Sequence, residues 1–189
     1  MILLYAFEIS GIKVKVCFSF FAVVCLTCLL GADSGKVLIM LACCALHECG
    51  HLAAMLICGC KPSGMTFYGG GICLVPSARL NSFAKDVFIL ASGCAVNFAL
   101  AFVACAAAGE LTFFAQTNLL LGGFNLLPAG CLDGGRLLDL LLCARKAKAV
   151  KAVFALLVSV LAAASALRGN VSVSLLCVLA YMCFSIFAA

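Results

Sequence analysis

The chain has 189 residues, 67% of them hydrophobic and only 10% charged, with a formal net charge of +5. Soluble domains carry roughly a quarter charged residues, so this composition excludes a water-soluble globule. The basic residues are few and scattered among apolar runs, which argues against a nucleic-acid partner and leaves them as topology signals.

In chain order, the first apolar run covers residues 14–32 and follows Lys13 and Lys15; the spans that come after it make it an uncleaved signal-anchor. The polar turn Asp33-Ser34-Gly35-Lys36 separates it from a second run, residues 37–58, and together they predict a helical hairpin. Residues 61–83 break the pattern with Lys61, Pro62, Gly64, the triplet Gly69-Gly70-Gly71, Pro76, Arg79 and Asn81. This segment predicts a Gly-rich β-hairpin or re-entrant loop, which membrane depth tolerates only where protein or a watery cavity covers it. Further spans are expected at residues 87–108, 111–127, 150–167 and 171–189. The fold class is therefore an all-α polytopic membrane protein of about six transmembrane helices, with 1–189 as one domain.

With the N-terminus inside, the inner loops hold Lys13, Lys15, Lys61, Arg79, Lys85, Arg136, Arg145, Lys146, Lys148 and Lys151, against Lys36 and Arg168 outside. That asymmetry places both termini in the cytoplasm. The 15 cysteines are odd in number and mostly sit inside apolar runs, so they read as small hydrophobes and not as a disulfide framework.

Both histidines of the chain lie in His47-Glu48-Cys49-Gly50-His51, within the second span. On a helix, positions i and i+4 share a face, so two imidazoles can grip one metal ion while Glu48 is placed to activate water. Zinc is the natural occupant. Ionisable groups at membrane depth are costly enough to need a functional or pairing explanation; the bland one is a buried His–Glu hydrogen-bonded pair. A catalytic zinc takes three protein ligands. Glu8, Asp33, Asp86 and Glu110 lie at loops or span ends, which leaves Asp133 and Asp139 as carboxylate candidates. Asp133 is preferred because Pro128, Gly130, Gly134 and Gly135 around it would unwind the end of the fourth span and turn a carboxylate inward. His47 lies about 16 Å along its helix from Lys36 at 1.5 Å per residue, so the three ligands can meet in the cytoplasmic half. A cysteine thiolate in place of Asp133 is the alternative; Asp139 reads as solvated or Arg-paired.

The chain resembles the site-2 proteases, the intramembrane zinc metalloproteases, over nearly its whole length. His47, Glu48 and His51 match the family's H-E-x-x-H element, and Asn125, Pro128, Asp133 and Gly134 match its N-x-x-P-x-x-x-x-D-G element. The short form and the Gly69-Gly70-Gly71 loop most resemble the stage IV sporulation protein FB branch. The resemblance implies that His47, His51 and Asp133 bind zinc, that Glu48 activates water, and that Asn125 holds substrate or stabilises the reacting carbonyl. It also implies a membrane-tethered protein substrate such as a transcription (sigma) factor precursor, an inhibitory membrane partner, and residence in a bacterial cell membrane. Cys94 stands where many relatives have proline in Gly93-Cys94-Ala95-Val96-Asn97, and Asn97 is assigned to substrate binding on that motif. No segment is long enough for the PDZ domain of other branches, and no C-terminal nucleotide-binding regulatory domain is expected. Residues 67–75, with Gly70 and Gly71, are the candidate strand edge for an unwound substrate. The rival readings are a non-catalytic metal-binding membrane scaffold and a metal-ion transporter.

Overall fold

The computed structural model describes residues 3–9, 11–29, 33–68, 71–76, 82–130 and 132–167. Their elements in order are β1 (Leu3–Ile9), β2 (Ile12–Cys17), α1 (Phe18–Leu29), α2 (Ser34–Ile57), β3 (Pro62–Tyr68), β4 (Gly71–Pro76), α3 (Phe83–Ala108), α4 (Phe113–Asn125), α5 (Asp133–Leu141) and α6 (Ala144–Leu167). The chain divides into two units, Met1–Gly123 and Phe124–Ala189.

The all-α expectation needs correction: the first unit carries a four-stranded sheet in the order β1-β2-β3-β4. β1 pairs antiparallel with β2, β2 pairs parallel with β3, and β3 pairs antiparallel with β4. The parallel step requires a long crossover, which α1 and α2 supply. The run at residues 14–32 is not one helix, because its first residues belong to β2. There Lys13 and Lys15 are exposed while Val14 is buried and Ile12 and Val16 are half-buried, the period of two that a half-buried strand needs.

Six spans are likewise not found among the described residues. Three helices are long and apolar enough to cross a membrane: α2, α3 and the Ala144–Ser165 part of α6. α1 has 12 residues and α4 has 13, so at 1.5 Å per residue each reaches about 20 Å, short of the ~30 Å hydrocarbon core. The expected sixth span, residues 171–189, and Gly70 lie outside the described residues.

α2 is built with a defined start and stop. The Asp33 carboxylate accepts from the Gly35 N–H at 2.8 Å, satisfying one of the orphan donors of the first turn. At the other end Gly59 takes a left-handed φ of 75°, its N–H reaches the Leu56 carbonyl, and the Cys60 N–H reaches that of Met55. This is a Schellman closure, for which glycine is the favoured residue. Between its ends α2 packs along α3 at small residues. A Cβ added at Gly50 would lie 2.9 Å from the Ser92 carbonyl oxygen and 3.2 Å from the Gly93 Cα, so this crossing depends on glycine.

In the second unit, α4 stops at Asn125, and the turn through Pro128 leads into α5. Turn bonds join Leu127 N–H to the Phe124 carbonyl and Leu132 N–H to that of Ala129. A Cβ at Gly134 would collide with the Leu126 carbonyl, and one at Gly135 with that of Ala129. The two glycines therefore let the turn lie directly on the first turn of α5. Ala129 and Leu132 pack with Val158 of α6 in a small apolar cluster flanked by Leu127 and Phe154. Asp139 accepts from Lys151 at 2.7 and 2.8 Å, so its partner is a lysine and not an arginine.

Candidate functional site

His47 and His51 are one turn apart on α2 and are buried, at 4% and 8% exposure. Their rings stand edge to face, with centroids 4.7 Å apart. His51 Nδ1 lies 2.7 Å from the Ile89 carbonyl oxygen of α3, which also accepts from the Ser92 hydroxyl at 2.6 Å. A carbonyl oxygen can only accept, so His51 carries its proton on Nδ1. His47 Nδ1 lies 2.6 Å from Asn97 Oδ1 and donates in the same way.

With both rings neutral, their Nε2 atoms are unprotonated, and those two atoms face each other at 3.1 Å. Two lone pairs at that separation repel unless a proton or a metal ion lies between them. Nitrogens bound about 2.0–2.1 Å from one tetrahedral ion would be about 3.4 Å apart. The pair fits a metal ion both in spacing and in the direction of its lone pairs. Outer hydrogen bonds from Nδ1 to oxygen are also the usual way in which ligating histidines are oriented.

Gly93 makes the arrangement fit. A Cβ at this position would meet His51 Nε2 and lie 2.7 Å from the Cε1 atoms of both rings. Glu48, next to His47 on α2, is half-buried. Asn97, expected at the substrate, is instead inside the helix packing, at 0% exposure, with its amide engaged by His47 and by Asn118 of α4. Sequence reading did not single out Asn118 as part of this site. An amide within an apolar run was the available signal.

Gly71 is the first residue of β4, which is an edge strand and packs against α2. In the second unit, Asp133 is the first residue of α5 and is 9% exposed; Asn125 ends α4, half-buried. Among the described cysteines none forms a disulfide.

Residues 107–167 match the model of Peptidase family M50. The matched segment holds Asn125, Pro128, Asp133 and Gly134 but not the His47–His51 element. No curated protein matches this chain. Among solved structures it is similar to the Site-2 Protease from Methanocaldococcus jannaschii, with a TM-score of 0.70 and 21% identity over 97% of this chain and 94% of that one. The two share a fold.

Proposed function

We propose that this chain is an intramembrane zinc metalloprotease that hydrolyses a peptide bond in or near the transmembrane segment of a membrane-tethered protein. The observation that carries the reading is the facing pair of Nε2 atoms on α2, inside a helix long and apolar enough to span, with Glu48 beside them. The family match over 107–167 and the fold shared with a site-2 protease support it independently. In this reading Asp133 is the third ligand beside His47 and His51. Two imidazoles and one carboxylate are a donor set of catalytic zinc sites, which leave a coordination position open.

When bound, zinc would supply a Lewis acid for the scissile carbonyl and make water acidic enough to lose a proton near neutral pH. The remaining work falls to the chain. Glu48 takes the proton from the attacking water and delivers it to the leaving amine nitrogen. Asn125 donates its amide to the substrate carbonyl region. A helical substrate hides its carbonyls in i to i−4 bonds and must unwind before attack; the extended stretch then pairs with the open edge of β4. Glycine permits close approach of another backbone, so replacing Gly70 and Gly71 by valine is expected to slow cleavage without loss of metal. Unchanged cleavage would exclude that edge. By the same reading the protein works in a bacterial cell membrane, with both termini and the site toward the cytoplasm, and releases a transcription factor.

The test of the metal set requires no substrate. Detergent-purified protein should hold about one zinc per chain, and Asp133→Asn should weaken it by at least about tenfold, since an amide is a poorer ligand than a carboxylate. Unaltered affinity in Asp133→Asn would move the third ligand elsewhere, and a wild type that takes up no zinc would end the metalloprotease reading.

A further inference from the structure

Asn97 and Asn118 are both fully buried, on α3 and α4. The two ends of an amide have nearly the same shape, so partners alone decide which end is oxygen. At Asn118 that decision is made by the backbone: its Nδ2 lies 2.9 Å from the Phe114 carbonyl oxygen, an atom that can only accept. The opposite orientation would set two acceptors against each other. With Nδ2 fixed there, Asn118 Oδ1 accepts from Asn97 Nδ2 at 2.7 Å. Asn97 must then turn its own Oδ1 to His47, and His47 must donate from Nδ1 at 2.6 Å. The second proton of the Asn118 amide reaches Cys43 Sγ at 3.1 Å. Cys43 is one turn before His47 on α2, so the chain leaves that helix at the histidine, passes through α3 and α4, and returns to it at the thiol.

We propose that Asn118 is a positioning residue for metal binding: it sets the direction of this amide chain and thereby fixes the His47 tautomer that turns Nε2 toward the ion. The proposal rests on the metalloprotease reading for the identity of the ion, while the tautomer is a property of the protein alone. The two histidines are oriented by different means. His51 is held directly by a main-chain carbonyl, whereas His47 depends on two side chains, one of which never approaches the ion. Losing an outer-shell partner of a metal ligand typically lowers affinity about 10–100-fold. Asn118 acts one bond further out, which puts its effect at about the lower of those values.

The test uses the full-length protein with histidine labelled by 15N. Only two histidines are present, so their side-chain resonances separate readily. In the metal-free wild type, at a pH where both rings are neutral, His47 is expected to be protonated on Nδ1; protonation on Nε2 overturns the proposal. That reading stands whether or not any variant folds and whether or not zinc binds. Asn118→Leu should give a mixture of His47 tautomers and about tenfold weaker zinc binding in a chelator competition. Asn118→Asp, whose neutral carboxyl can donate its O–H to the Phe114 carbonyl while the other oxygen faces Asn97 Nδ2, should bind zinc as the wild type does. In an Asn97→Asp background, where either carboxylate oxygen can accept from His47, Asn118→Leu should cause no further loss. A role in packing alone predicts equal losses for Leu and Asp, and the same loss in both backgrounds; either result overturns the proposal. A wild type that binds no zinc ends the metalloprotease reading, and the tautomer measurement still decides the amide chain.

Discussion

Glu48→Gln is expected to lower the cleavage rate by about 10²–10⁴, the range usual for loss of a general base, with zinc content unchanged. Glutamine keeps the length and shape of the side chain, and the substitution leaves the Nδ1 bonds of His47 and His51 intact. What it removes is the capacity to take a proton. Cleavage of a membrane-tethered test substrate and metal analysis of the same preparation decide the matter together. Cleavage retained by the variant would show that Glu48 is not the base. Cleavage and zinc lost together would make Glu48 a ligand, and the roles of Glu48 and Asp133 would then have to be exchanged. The contrast with Asp133→Asn is informative because that variant should weaken zinc binding and lose cleavage together.

The histidine pair was more legible in the sequence than the fold around it. His47, Glu48 and His51 stand out because ionisable groups are expensive in an apolar run, and the i, i+4 spacing fixes their common face whatever packs beside them. The turn before Asp133 was legible for a similar reason. Proline and glycine limit the backbone locally, and the helix does end at Asn125 and resume at Asp133. The N-terminal strands were not legible by hydropathy. β2 runs directly into α1, so a window of span length averages a strand and a short helix into one apolar run. Only the alternation of Lys13 and Lys15 with Val14 and Val16 carries the period of two. The place of Asn97 was hidden for another reason. A polar residue in an apolar run can be satisfied by substrate, by water or by another buried amide, and the choice depends on α4, which lies far along the chain.

Gly93→Ala is expected to weaken zinc binding about 5- to 150-fold, which corresponds to the roughly 1–3 kcal/mol that one extra methyl group costs in a tightly packed interior. The added carbon would enter the space of both imidazoles, 2.7 Å from each Cε1. Something must move. The helices are closely opposed here, since a Cβ at Gly50 already finds the Ser92 carbonyl oxygen at 2.9 Å and Val96 Cγ2 at 2.9 Å. The rings, as side-chain ends, give way before the backbone does. Their displacement breaks the opposition of the two Nε2 atoms and strains the bonds from Nδ1 to Asn97 and Ile89. Gly123→Ala is the control. No atom lies within 4 Å of a Cβ added there, and alanine in place of glycine favours a helix by up to about 1 kcal/mol, so zinc affinity should be unchanged and thermal stability equal or higher. Equal zinc affinity in Gly93→Ala and Gly123→Ala would mean that the imidazoles do not rest on Gly93 when the metal is held, and the pairing of α2 with α3 as the frame of the site would have to be abandoned. A loss of zinc in Gly93→Ala with unchanged helix content places the effect in the rings and confirms that this glycine serves the metal through the room it leaves for its ligands.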